Sequence, residues 1–260
     1  MLKHEAAAII RFFGAIGMTA LQVPMGSRPA RRLSLRAFVY DVIRRRTTPR
    51  MRQFIKSRQW VMPIVARCFG GDIYSRSYYE QVEEAEQASV LAIAIWIRLT
   101  LRPIRVVDVG CGPGHLIEAL HRGGIDVLGL DYSAAARKFV SQKGLRFETF
   151  DLTTRGVVPS SPWDLAVCCE VAEHLDARHA DTFVRNLTSA SNIVFLTAAE
   201  VGQGGLNHVN EQPNSYWIAK FARLGFTLDG GLTESARAAF AGGGVVHYLA
   251  KPMIFRRIEK

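Results

Sequence analysis

Glu170, Glu173 and His174 carry the clearest chemistry in this sequence, because a run Glu170-Val171-Ala172-Glu173-His174 repeats ligand-type side chains at i, i+3 and i+4. On a helical turn that spacing presents all three on one face. A further histidine, His208, stands in the glycine-rich stretch Gly202-Gln203-Gly204-Gly205-Leu206-Asn207-His208-Val209-Asn210-Glu211-Gln212-Pro213. Two carboxylates and two imidazoles make a candidate divalent-cation site, with Mg2+ and Mn2+ as the candidate ions. Without a cation, the same histidines are candidate general bases working near neutral pH. Long polar loops such as 202–213 also suit a cover over a substrate.

A second group of residues can hold a nucleoside cofactor. Val106-Val107-Asp108-Val109 reads as a buried strand and runs into Gly110-Cys111-Gly112-Pro113-Gly114, and a helical pattern follows from His115. Glycines there let the backbone approach a ligand, and the helix start offers free N–H groups. A dinucleotide fingerprint reads G-x-G-x-x-G, whereas these glycines fall at 110, 112 and 114 after Asp108. Asp108 is placed to hold the turn or to meet a cofactor ammonium. The next apolar run ends in Asp131, 21 residues after Gly110, where a carboxylate can accept both hydroxyls of a ribose. Tyr132 can pack on an adenine ring. The third run ends Phe150-Asp151-Leu152, so Asp151 can accept from an adenine amino group and Leu152 can supply an N–H. Three aspartates at three consecutive strand ends, with no P-loop lysine, suit a cationic nucleoside better than a triphosphate.

The D-x-G-x-G-x-G order of residues 108–114 resembles the first motif of class I S-adenosylmethionine (SAM) methyltransferases. E-x-x-E-H with a later histidine resembles the metal site of small-RNA 3′-terminal 2′-O-methyltransferases, and E-x-x-E-H is also similar to ubiquinone-biosynthesis O-methyltransferases. The stretch from Tyr74 to about Tyr248 looks like a bacterial class I methyltransferase group associated with glycan and natural-product pathways. These resemblances imply SAM as cofactor, bound by Asp108, Gly110, Cys111, Gly112, Gly114, Asp131, Tyr132, Asp151, Leu152 and Glu170. They imply Glu170, Glu173, His174 and His208 as metal ligands, and His208, His174 and Glu173 as catalytic residues. E-x-x-E-H also occurs in methyltransferases with no known metal, where the glutamate touches cofactor backbone and the histidine packs at a helix start. Both readings stay open, and either favours transfer to oxygen over transfer to an unactivated carbon.

Elements must position these residues. Strand-like runs at 105–109, 126–130, 146–150, 165–169 and 192–197 alternate with helical patterns at 114–122, 134–142, 177–189 and 214–224. The alternation predicts an α/β fold, a Rossmann-like seven-stranded mostly parallel sheet with helices on both faces. Val245–Leu249, after Gly242-Gly243-Gly244, is the expected closing hairpin strand. Ahead of the sheet, an acidic run (Glu80, Glu83, Glu84, Glu86) leads into the apolar Val90–Leu101, a helix ended by Pro103.

The chain has 260 residues and a net charge of +10, and 48% of its residues are hydrophobic, enough for a sizeable core. The charge is uneven: residues 1–70 hold 14 Lys/Arg against Glu5 and Asp41 alone, while the remainder is slightly acidic. We expect a basic helical extension over 1–71 and a SAM-dependent domain over 72–260. Ile9–Val23 is too short to span a bilayer, since about 20 apolar residues are needed. It also runs into Arg28, Arg31 and Arg32 instead of a small-residue cleavage site. From Leu35, apolar residues recur at 35, 38, 39, 42 and 43 beside Arg36 and Arg44–Arg46. Such a helix covers a core with a solvated arginine face, lies on an anionic membrane, or binds RNA phosphate. An Arg-rich, acid-poor start also permits a targeting peptide. The cysteines Cys68, Cys111, Cys168 and Cys169 lack metal-finger spacing and fit a reduced, cytoplasmic setting, with membrane association as the second choice.

Three functions are therefore weighed: O-methylation of a small molecule or glycan, ribose 2′-O-methylation of RNA, and a non-catalytic SAM-binding partner subunit. The identity of the acceptor and the oligomeric state are not encoded in any motif.

Overall fold

The computed structural model describes residues 88–259, apart from 157, 160, 161, 206, 243 and 244. The expected boundary at 71/72 and the basic helix from Leu35 lie outside these residues. Helix α1 (88–96) passes into a π-helical turn, Ile97–Leu101, and ends where Arg102 takes a left-handed φ of 50° ahead of Pro103. Seven strands and five more helices follow: β1 (Arg105–Val109), α2 (His115–Arg122), β2 (Asp126–Asp131), α3 (Ala134–Gln142), β3 (Phe147–Thr149), β4 (Leu165–Cys169), α4 (Ala180–Ala190), β5 (Ile193–Thr197), α5 (Asn214–Ala222), β6 (Phe226–Leu228), α6 (Gly230–Gly242) and β7 (Met253–Arg257). Two 3-10 turns, Ala172–His174 and Ala177–His179, join β4 to α4.

The strands form one sheet in the order β3-β2-β1-β4-β5-β7-β6. β1 to β5 are mutually parallel, and β7 runs antiparallel to both neighbours. Side chains alternate between two buried faces, which is why the strands read as continuous apolar runs. Val107, Val109, Leu128 and Leu130 pack under α4 and α5 with Phe183, Leu187, Trp217 and Phe221. Val106, Val127, Leu165 and Val167 pack under α1, α2 and α6 with Ile93, Trp96, Ile117, Leu120 and Phe240. Helices thus lie on both faces, as expected.

The closing strand corrects the sequence reading. Residues 247–250 form a turn, with Leu249 and Ala250 N–H both donating to the Val246 carbonyl. Val246 N–H is taken by Ser89 Oγ at 3.0 Å, so this apolar stretch docks on α1 instead of joining the sheet. The antiparallel strand is Met253–Arg257, whose Met-Ile-Phe half is buried between β5 and β6. Its charged end, Arg256-Arg257, hides the strand signal, and short β6 has almost none.

The chain order reverses between β1 and β4, since β2 and β3 extend the sheet one way and β5 the other. Crevices open at such a point beyond the carboxyl ends of the strands. The turn after β1 and the turn after β4 touch there: a Cβ on Gly110 would lie 2.4 Å from Val171 Cγ2.

Candidate active site

The glycine turn after β1 has the backbone its sequence requires. Gly110, Gly112 and Gly114 all have positive φ, at 84°, 51° and 76°, a region L side chains rarely occupy. Gly110 and Cys111 N–H donate to the Leu130 carbonyl at 2.7 and 3.0 Å, which ties the turn to the end of β2. Helix α2 then begins after Gly114 with no side-chain cap.

Asp131 is a bracing residue in this arrangement. Its Oδ2 accepts from Gly112 N at 3.0 Å and its Oδ1 from Ser133 N at 2.8 Å, so one carboxylate joins the turn to the start of α3. Asp108 is only 4% exposed. Burial first, and the charge of Asp131 second, push its carboxyl up to about 7. Cys111 is buried, and its thiol is held well above the usual range by burial and then by Asp108. Tyr132, next to Asp131 in the chain, is 59% exposed. Leu152 is buried, whereas Asp151 is exposed and bends onto its own loop, accepting from Thr153 N at 2.8 Å and Thr153 Oγ1 at 2.7 Å.

The turn after β4 departs from the expected helical face. Glu170 leaves the strand with a left-handed φ of 53°, and only Ala172–His174 is helical, as a single 3-10 turn. Its N–H is anchored to Thr197 on β5, at 3.2 Å to the carbonyl and 3.1 Å to Oγ1. Its Oε2 accepts from Gln203 Nε2 at 2.9 Å. The three ligand-type residues therefore do not share a helix face. Instead, Glu173, His174 and His208 converge, each offering a ligand atom within 4.8 Å of the others, while Glu170 flanks the group.

This cluster has unusual electrostatics. Glu173 is fully buried, and its carboxyl oxygens make no hydrogen bond of standard geometry among the described residues. Burial, followed by the charge of Glu170, raises its carboxyl well above the usual carboxylate range. Two carboxyls so placed need a proton or a cation between them. His174 is driven the other way: burial first and His208 second lower its imidazole to about 4. It is neutral at physiological pH, and its Nδ1 faces the Asn207 carbonyl at 3.2 Å. A carbonyl only accepts, so Nδ1 carries the proton and the lone pair lies on Nε2. His208 packs edge-on against His174, ring centroids 4.9 Å apart, with Nδ1 3.1 Å from Glu211 Oε1.

The loop 200–213 is laced to this turn. Val209 and Asn210 N–H donate to the Glu173 carbonyl at 2.9 and 3.0 Å, and buried Asn210 reaches the Ala172 carbonyl. The sequence reading missed Gln203, Asn210 and Glu211, which hold the site residues. For Glu211 the signal was present, as a carboxylate three residues after His208. For Gln203 and Asn210 no local pattern exists, because their partners lie 33 and 38 residues away.

Residues 80–217 match the family described as "Methyltransferase domain". Among curated proteins, this chain is similar to ubiquinone biosynthesis O-methyltransferases of Stutzerimonas stutzeri (strain A1501) and Pseudomonas fluorescens (strain SBW25). The identities are 27% over 135 residues and 29% over 132, in each case 48% of this chain and 53% of the relative. The chain thus spans about half the length of those relatives. Among solved structures, a sugar N-methyltransferase from Streptoalloteichus sp. ATCC 53650 superposes with a TM-score of 0.54 at 15% identity, over 70% of this chain and 93% of that one. A magnesium protoporphyrin IX methyltransferase from Synechocystis PCC 6803 with bound SAM gives 0.51 at 18%, over 88% and 100%.

Proposed function

We propose that this chain, which belongs to the methyltransferase domain family and is a SAM-dependent methyltransferase, transfers the methyl group of SAM to a hydroxyl oxygen of a small molecule or glycan. The observation that carries the choice of oxygen is the buried cluster of Glu173, His174 and His208 beside the cofactor turn. Such a group can take up or displace a hydroxyl proton, which an oxygen acceptor needs and a tertiary amine does not. The naming of curated relatives as O-methyltransferases agrees with this reading.

In this reading the glycine turn and Asp108 receive the methionyl end of SAM, Asp131 and Tyr132 its ribose and adenine, and Asp151 and Leu152 the adenine edge. Cys111 and Glu170 line the cofactor backbone. SAM is bound by alignment more than by chemistry: the turn fixes the methyl donor and excludes water from its path. In the same reading His208 and His174 serve the acceptor as bases or ligands.

The residues present also fit a divalent cation. Glu173 has buried oxygens with no hydrogen bond of standard geometry among the described residues, and one ligand atom from each of Glu173, His174 and His208 lies within 4.8 Å of the others. Glu173, His174 and His208 would hold the ion, with Glu170 alongside, and two imidazoles favour Mn2+ over Mg2+. Bound there, it would lower the pKa of an acceptor hydroxyl.

The reading is tested by turnover of labelled SAM on hydroxylated metabolite fractions, with and without chelator, in wild type and His208→Ala. We expect label in a hydroxylated fraction and a loss of about 100-fold or more in the variant, the range for a lost general base. Full activity in a chelated, metal-stripped enzyme removes the cation. Full activity of His208→Ala removes the imidazole as well.

A second reading, methylation of RNA ribose, is favoured by the basic residues 1–70. It requires RNA binding that falls steeply with salt. Contact of the same segment with an anionic membrane is the remaining partner proposal.

A further inference from the structure

We infer that Glu211 is the positioning residue of this site, setting the tautomer and seat of His208. The inference rests on the reading of His208 as a ligand or base and adds the device that makes it one.

Three donors converge on this one carboxylate. Glu211 Oε1 accepts from Gly204 N at 2.6 Å and faces His208 Nδ1 at 3.1 Å, and Oε2 accepts from Gly202 N at 2.8 Å. Gly202 and Gly204 have φ of 86° and 67°, a left-handed backbone that turns both amides inward to form an anion-binding concavity. Gly205 supplies the space: a Cβ there would lie 2.1 Å from His208 Nε2 and 2.4 Å from Cε1. The run Gly202-x-Gly204-Gly205-x-x-His208-x-x-Glu211 is therefore a single device. Its first two glycines seat the carboxylate, the third admits the ring, and the carboxylate orients the imidazole.

A surface ion pair would not do this. The His208 and Glu211 side chains are only 9% and 21% exposed, and the pair lies in a loop, not along a helix where i, i+3 charges meet by default. A carboxylate accepts and does not donate, so it selects the Nδ1–H tautomer of neutral His208 and leaves the lone pair on Nε2. His174 receives the same treatment from the Asn207 carbonyl. Each ring has a ligand atom within 4.8 Å of one on the other ring and one on Glu173.

The test uses the full-length chain labelled with 15N, at about pH 8, where an ordinary imidazole is neutral. Long-range proton–nitrogen correlation spectra are expected to show His208 as the Nδ1–H tautomer in wild type. Glu211→Ala should shift it toward the Nε2–H form, and Glu211→Gln, which keeps an acceptor oxygen, should retain most of the wild-type state. Mn2+ binding followed by electron paramagnetic resonance should weaken roughly 10- to 100-fold in Glu211→Ala, and also in Gly205→Ala, where the ring is displaced. Affinity for S-adenosylhomocysteine (SAH), on the cofactor side, serves as the folding control in every variant. An unchanged His208 tautomer in Glu211→Ala overturns the inference. If Glu211→Ala does not fold, unchanged tautomer and Mn2+ affinity in Gly205→Ala do the same. A Glu211-dependent tautomer in a protein that takes up no Mn2+ upholds the inference and removes only the cation reading.

Discussion

Asp108 shows how burial couples one residue's charge to the fold. Burial, and then Asp131, raise its carboxyl from the ordinary 3.8 to about 7. The unfolded chain therefore releases this proton first as pH rises, while the folded protein keeps it. The ligand-free protein should lose up to about 4 kcal/mol from this group between about pH 4 and 7, at 1.36 kcal/mol per unit. The loss is expected to be absent in Asp108→Asn and is read by urea unfolding across that range. A cationic cofactor end beside Asp108 reverses the preference, so SAM affinity should fall about tenfold per pH unit below 7 in wild type. A calorimetric titration series that is flat in wild type would remove Asp108 from the cofactor site. Asp131 has the opposite character: its oxygens serve Gly112 N and Ser133 N, so it shapes the glycine turn after β1.

At the scale of elements, the loop 200–213 and strand β7 carry the parts that local pattern does not reveal. The loop reads as a free cover but is pinned by Glu173, Gln203, Asn210 and Glu211. β7 fills the position between β5 and β6, and its Phe255 stacks on Phe221 of α5 with centroids 3.8 Å apart and planes within 2°. Phe255 is fully buried. Its replacement by Ala should cost about 3–5 kcal/mol, as for other core Phe→Ala changes. Denaturant unfolding measures this, and a cost below about 1 kcal/mol would mean that β7 is not seated in the core. SAH binding in the same variant should persist where the fold survives, because the cofactor turn lies after β1 at the other side of β4 and β5.

Across the described residues, the glycine-turn half of the candidate site was the more legible. Asp108, the three glycines and Asp131 lie at strand ends that periodicity alone locates, and turn chemistry dictates their backbone. The cluster of Glu173, His174 and His208 was legible as a set of residue types but not as an arrangement. Glu170 took a left-handed exit that no spacing rule signals, and Glu173, His174 and His208 met through a 3-10 turn and a docked loop. On the proposed placement of SAM across the ends of β1 and β2, its binding should stabilise the domain cooperatively. SAH at about 100 times its Kd is expected to add about 2.7 kcal/mol, a rise of roughly 5–10 °C in Tm for a domain of this size. A thermal scan with no shift at saturating SAH would contradict the assigned cofactor.

Sequence alone determined the α/β alternation, the sheet's two buried faces, the SAM-type turn and the list of side chains able to do chemistry. These follow from period, glycine conformation and strand-end position, which act over a few residues. Tertiary structure alone decided which of those side chains meet, which strand closes the sheet, and that Glu211 stands behind His208. Those outcomes depend on contacts between segments tens of residues apart. There, the burial of Glu173 and the seating of a loop on a 3-10 turn override what any short window can display.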